Sequence, residues 1–227
     1  GGGLGLGGHR PAFYSTYCAV CGDGHIGTVL DLAAQRLFGI SNGKEKEYRS
    51  TDCTEGGETE MKVVGKQRNS KMCFICGMDN PVGMKAQFYN MEDGSVMTIF
   101  RYEEEHQSFP QRVHGGLAAT MLDELGLRAL WAREGESVLG VTMSMAVKYR
   151  KPVPYQEELV GKGILVKSTS KFATMRTEIY DRKGKLLVSA DLRYIKLDAE
   201  QIAGDVDAHE EMCYLIEDEV REIILEL

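Results

Sequence analysis

The chain has 227 residues, 43% hydrophobic and 27% charged, which is a globular rather than a disordered or fibrous composition. No stretch nears the roughly 18 apolar residues that span a bilayer, and the glycine-rich start lacks the basic segment and apolar core of a secretion signal; no membrane association is expected, and a cytoplasmic address is the default. The net charge of −7 is unevenly spread: residues 61–197 hold 21 basic and 15 acidic side chains, while residues 198–227 hold one and 11. The middle therefore suits an anionic ligand such as a nucleotide phosphate, but it lacks the concentrated Lys/Arg stripe that nucleic acid requires.

The first 60 residues read unlike the rest. All 11 methionines lie at or beyond Met61, and 13 of the 26 glycines lie before it. Apart from one helix-like stretch, residues 27–37, this part is polar and glycine-rich. It is expected to be an extension to the main domain, disordered or foreign to the natural protein, with a small extra domain as the alternative. Six cysteines include two C-x-x-C pairs, Cys18/Cys21 and Cys73/Cys76. The gap between Cys21 and Cys73 is longer than structural zinc sites use, so free thiols and no metal are expected.

From Met61 onward the periodicities are clean. Residues 85–90 and 96–102 flank Glu92-Asp93-Gly94-Ser95, a hairpin signal. Residues 116–133 form a helix with Leu117, Ala118, Met121, Leu122, Leu125 and Ala129 on its apolar face. Val141, Met143, Met145, Val147 and Tyr149 alternate with polar or small residues as a half-buried strand, which ends at Lys151-Pro152-Val153-Pro154. Two more strands, 159–167 and 171–180, precede an Asp181-Arg182-Lys183-Gly184 turn and a last strand, 186–197. One long helix followed by an antiparallel meander predicts an α+β domain over residues 61–197, its sheet wrapped around a central helix. Residues 207–227 predict an acidic amphipathic helix, with Met212, Leu215, Ile216, Val220, Ile223, Ile224 and Leu227 on one stripe.

The most informative segment runs from Arg112 to Glu124. Gly115 and Gly116 open the helix, so their backbone can approach a ligand without Cβ interference. The free N–H groups of a helix start carry partial positive charge and can hold the oxygen of a polarised carbonyl. Asp123 lies mid-helix among Met121, Leu122 and Leu125, a poor place for a carboxylate that only packs. Glu124 reads as a solvated or salt-bridged neighbour.

His114-Gly115-Gly116 with an acid nine positions after the histidine resembles the PaaI-type, phenylacetate-pathway-like branch of the hotdog thioesterases. Cys73-Phe74-Ile75-Cys76-Gly77, Asn80-Pro81-Val82-Gly83-Met84 and Gly140-Val141-Thr142 support the likeness, which covers residues 61–197. The resemblance implies a hotdog fold and hydrolysis of an acyl-CoA thioester, without cofactor. It implies Asp123 as general base or nucleophile, the Gly115 amide as donor to the thioester oxygen, His114 as a group positioning that oxygen, and Thr142 as orienter of the attacking water. Relatives often carry an amide side chain six residues before the histidine; Ser108 stands there, beside Gln107, which is the candidate substitute. Gly116, Lys148, Arg150 and Lys151 are further candidates for substrate binding, the cations for the CoA phosphates, although solvated charge is an equal reading of them. Gly115 and Asp123 are eight residues apart on one helix, about 12 Å at its rise per residue, whereas reacting groups converge within about 3–3.5 Å. One subunit cannot supply both, so a site shared across a homodimer, alone or within a homotetramer, is expected. Three rivals remain open: a hotdog hydratase or dehydratase, a hotdog protein that binds acyl-CoA without turnover, and a zinc-binding module.

Overall fold

The computed structural model describes residues 58–197, 201 and 211–226. In chain order its elements are strands β1 (Glu58–Lys66), β2 (Tyr89–Met91), β3 (Val96–Arg101), β4 (Gln107–Phe109) and β5 (Arg112–Val113), helix α1 (Gly115–Glu134), and strands β6 (Leu139–Tyr149), β7 (Glu158–Ser168), β8 (Phe172–Asp181), β9 (Leu186–Leu197) and β10 (Glu222–Glu226). Eight strands form one sheet in the order β10-β1-β2-β3-β7-β8-β9-β6, and β4 with β5 makes a separate small hairpin. Every ladder in the large sheet is antiparallel. This is the α+β arrangement that the meander pattern predicts, one long helix against a large antiparallel sheet.

Local chemistry sets the corners. At the first hairpin, Asp93 accepts hydrogen bonds from the Ser95 amide and hydroxyl, and the Gly94 N–H closes onto the Met91 carbonyl at 2.9 Å. At the β8–β9 turn, Asp181 Oδ1 accepts from the Lys183 and Lys185 amides. Helix α1 ends at Gly135, whose N–H caps the Trp131 carbonyl at 2.9 Å.

The main core lies between α1 and one face of the sheet. Ala118, Met121, Leu122, Leu125 and Ala129 are buried there, with Val96, Leu159, Met175, Val188 and Leu192 from the strands opposite. The helix sits close because β7 offers no side chain where it crosses: a Cβ on Gly163 would come within 2.6 Å of the Leu125 carbonyl oxygen. Backbone therefore blocks any larger residue at this point, and side-chain adjustment cannot relieve it.

A smaller core occupies the sheet's other face. Val96 belongs to the first cluster and Met97 to the second, and Leu159 and Val160 divide the same way, because successive strand residues point to opposite faces. Met61, Tyr89, Met91, Ile223 and Leu225 complete it.

Ile223 and Leu225 correct the expected C-terminal helix. Residues 222–226 form a strand paired with β1 from Glu58↔Glu226 to Lys62↔Glu222. The apolar residues that fit a helical stripe also alternate: Ile223 and Leu225 are buried while Ile224 is exposed. The otherwise unpaired edge of β1 decides between the two periods, since a strand there satisfies both backbones. The sheet domain thus extends beyond 61–197 at both ends: β1 starts three residues before Met61. The rest of the glycine-rich extension, and residues 198–210 except 201, lie outside the described residues.

Candidate active site

Asp123 lies on the edge of the buried face of α1, half-buried and turned toward β6 and β9. Its Oδ1 accepts from Thr142 Oγ1 at 2.6 Å and from the Tyr194 hydroxyl at 2.9 Å. Those two donors face each other across the β6–β9 ladder, where Thr142 pairs with Tyr194. Immediately after them the register shifts between Thr142 and Ser144, a bulge of the kind that re-aims side chains beside functional sites. The Tyr194 hydroxyl also lies 2.6 Å from the Asp123 carbonyl oxygen. Burial, and then the charge of Asp123, push the Tyr194 hydroxyl well above the usual tyrosine range, so it stays a donor. Oδ2 of Asp123 has no hydrogen-bond partner among the described residues. One carboxylate oxygen is anchored and the other is presented.

The second half of the expected site lies at the helix start. His114 is the N-cap: its Nδ1 accepts from the Gly116 N–H at 3.0 Å. This occupies the Gly116 amide, which is therefore not offered to a ligand as expected, and leaves Nε2 as the free nitrogen of His114. The Gly115 N–H meets no acceptor among the described residues, while the Gly115 carbonyl accepts from the Tyr149 hydroxyl at 2.8 Å. A cavity of about 380 Å³ opens beside Gly115, lined in part by Ser108, Arg112, Tyr149, Arg150 and Lys151. Ser108 thus borders the cavity; Gln107 and Lys148, although exposed, do not line it. Arg150 is steadied by Ser189 Oγ at 2.6 Å. Three cations around one free amide make the cavity suitable for an anion.

Asp123 does not line the Gly115 cavity, in keeping with the helical distance between them. The structure brings together Asp123 and Thr142, and separately Gly115, Ser108 and Arg150. Sequence reasoning missed Tyr194, Arg112 and Tyr149. Tyr194 depends on a ladder between residues some fifty positions apart, while Arg112 stood unexamined inside the motif itself. Elsewhere on α1, Glu124 Oε2 lies near Cys73 and Cys76, so that three potential metal donors lie within 4.8 Å of one another.

A family model described as thioesterase superfamily matches residues 111–188, from the motif to the first residues of β9. The chain is 30% identical over 138 residues to acyl-coenzyme A thioesterase 13 of Homo sapiens, covering 60% of this chain and 91% of that protein. It is also 30% identical over 140 residues to acyl-coenzyme A thioesterase THEM4 of Mus musculus, covering 60% of this chain and 58% of that one. A crystal structure of a thioesterase superfamily protein superposes with a TM-score of 0.50 at 26% identity, spanning 54% of this chain and 59% of that one. No helix among the described residues is long and apolar enough to cross a membrane. With nearly the whole length of a 30%-identical relative matched, this chain belongs to the thioesterase superfamily and has its hotdog fold.

Proposed function

We propose that the protein hydrolyses acyl-CoA thioesters, R–CO–S–CoA, to the free acid and CoA, with Asp123 as the carboxylate that drives the step. The observation that carries this reading is the asymmetric hold on Asp123: Thr142 and Tyr194 fix Oδ1 while Oδ2 stays open. A carboxylate presented in this way either takes the proton of an attacking water or attacks the thioester carbonyl itself, forming a mixed anhydride that a water then cleaves to the free acid and the regenerated carboxylate. The carbonyl oxygen goes to the free Gly115 amide, where the helix start stabilises developing negative charge, and Nε2 of His114 is within the same helix cap. The CoA thiolate leaves and is protonated by solvent. Arg112, Arg150 and Lys151 receive the CoA phosphates at the rim of the cavity. The names of the similar acyl-coenzyme A thioesterases support the same substrate class.

The working unit is a homodimer joined along β6. This strand is a sheet edge eleven residues long, and Val141 and Met143 on it are 39% and 51% exposed. A long apolar edge invites a second strand. Pairing there would bring the Asp123 of one copy to the Gly115 of the other and resolve the separation of about 12 Å within one chain.

Mixing two inactive variants tests both parts. Asp123→Asn and Gly115→Val chains, each assayed alone for CoA release, show little turnover. Refolded together, they regain about a quarter of wild-type activity, because half of the dimers are mixed and each mixed dimer has one intact site. No recovery in the mixture removes the shared site, and full activity of Asp123→Asn alone removes the catalytic assignment.

A further inference from the structure

The C-x-x-C turn at residues 73–76 offers two thiols, and among the described residues the fold brings a third donor to them. We propose that Cys73, Cys76 and Glu124 bind one zinc ion, with a water in the fourth position, and that the ion clamps the turn to α1. This inference does not depend on the thioesterase reading, since the hydrolytic step needs no metal.

Geometry comes first. The two Sγ atoms and a Glu124 carboxylate oxygen all lie within 4.8 Å of one another. Cys73 Sγ is 3.7 Å from Glu124 Oε2. A tetrahedral zinc ion with Zn–S near 2.3 Å and Zn–O near 2.1 Å places such a sulfur and oxygen about 3.6 Å apart, so the ion enters with little rearrangement.

The turn is built for two sulfurs at one point. Its closing hydrogen bond runs from the Gly77 N–H to the Cys73 carbonyl at 2.8 Å. A Cβ on residue 77 would lie 2.3 Å from that carbonyl oxygen, so only glycine closes the turn. The Ile75 N–H is directed at Cys73 Sγ at 3.3 Å, and Ser70 Oγ lies 3.3 Å from Cys76 Sγ. The Ile75 N–H supports a thiolate at Cys73, the form that binds metal.

The carboxylate is equally prepared. Arg128 Nε donates to Glu124 Oε1 at 2.9 Å, which leaves Oε2 to face the sulfurs. Arg128 is itself fully buried, stacked on Phe88 and Trp131, and held by the Arg68 carbonyl at 2.7 Å. A ligating carboxylate is commonly oriented by an outer partner of this kind. Charge also balances: two thiolates, one carboxylate, one guanidinium and a divalent ion sum to zero in a site where net charge is costly. Two thiolates select zinc over magnesium or calcium. Cys76 is buried and Cys73 only half-buried, so the fourth position opens on the Cys73 side.

The test uses the full chain, reduced and stripped of metal, with cobalt(II) as a spectroscopic stand-in and zinc measured by elemental analysis. Expected are one zinc per chain, a thiolate-to-cobalt charge-transfer band with tetrahedral d–d absorption, loss of both in Cys76→Ser, and a zinc Kd raised at least about 10-fold in Glu124→Gln. Cys18→Ser/Cys21→Ser keeps the ion. Absence of the band in the wild type, unchanged affinity in Glu124→Gln, metal retained in a folded Cys76→Ser, or metal lost with Cys18 and Cys21 each overturns the proposal.

Discussion

Asp123 and Glu124 are adjacent carboxylates on one helix, and their surroundings differ in kind. Asp123 turns to β6 and β9, where its hydrogen-bond partners are two hydroxyl donors and, among the described residues, no cation pairs with it. Glu124 turns to the loop before β2, and fully buried Arg128, one turn further along the same helix, meets it at 2.9 Å. The step of about 100° per residue along a helix is enough to send one acid to a site that presents a free oxygen and the next to an ion pair that fixes a loop. A carboxylate's role is set less by its position in sequence than by whether a cation or a hydroxyl lies opposite it.

The largest effect is expected on the Asp123 side. Asp123→Asn keeps the shape and the hydrogen bonds to Thr142 and Tyr194 but loses the basic, nucleophilic oxygen. Its kcat for CoA release should fall by about 10²–10⁴-fold, the range typical of a general base, with an unchanged thermal midpoint. A fall in stability instead, with kcat preserved, would make Asp123 a structural acid like its neighbour.

The Glu124 side should answer in stability. Arg128→Met removes one partner of a buried ion pair and strands the other, which costs about 3–5 kcal/mol. Arg128→Met/Glu124→Gln should recover part of that loss, because no stranded charge remains. Denaturant unfolding of the single and double variants measures it; a double variant no more stable than the single would mean that the stacking on Phe88 and Trp131, rather than charge, holds Arg128 in place.

These two sides were unequally legible in the sequence. Asp123 stood out as a carboxylate among apolar helix residues at the spacing from His114 that the family likeness carries, and Thr142 entered only through that likeness. Arg128 gave no signal: a charged residue four places after Glu124 reads as an exposed i,i+4 pair, and only the packing of Phe88 and Trp131 around it makes it part of the core. Tyr194 was hidden for a related reason, since the partner across a ladder is fixed by register and not by local pattern. The same limit explains β10, whose five residues satisfy a helical stripe and a strand alternation alike until the edge of β1 is known. At the helix start the sequence located both glycines but could not divide them; the imidazole of His114 does so by taking the Gly116 amide.

Within the Asp123 side, Thr142 and Tyr194 differ in burial and so in what their loss should do. Thr142→Val removes a hydrogen bond to a charged group, worth about 1.5–3 kcal/mol. If it positions Asp123, kcat falls about 10-fold or more with KM little changed, and Thr142→Ser restores it. A matched rise in KM with kcat intact would instead place the hydroxyl on the substrate.

Tyr194→Phe should have the smallest effect at neutral pH and a distinctive one in alkali. Its hydroxyl is a second donor to an oxygen that Thr142 already serves, and in Tyr194→Phe the Thr142 bond still holds Oδ1 in place. Burial, then the Asp123 charge, raise its folded pKa above the unfolded value. A raised folded pKa gives a contribution to stability that is whole below the unfolded tyrosine value of about 10 and is lost as pH climbs through the folded one. Wild-type stability should therefore decline above about pH 10 more steeply than that of Tyr194→Phe. Asp123→Asn should soften the decline only in part, since burial outranks the carboxylate as the cause. Denaturation midpoints of the three proteins across alkaline pH separate the two contributions, and identical slopes in all three would mean that the Tyr194 hydroxyl is open to solvent and does not anchor Asp123.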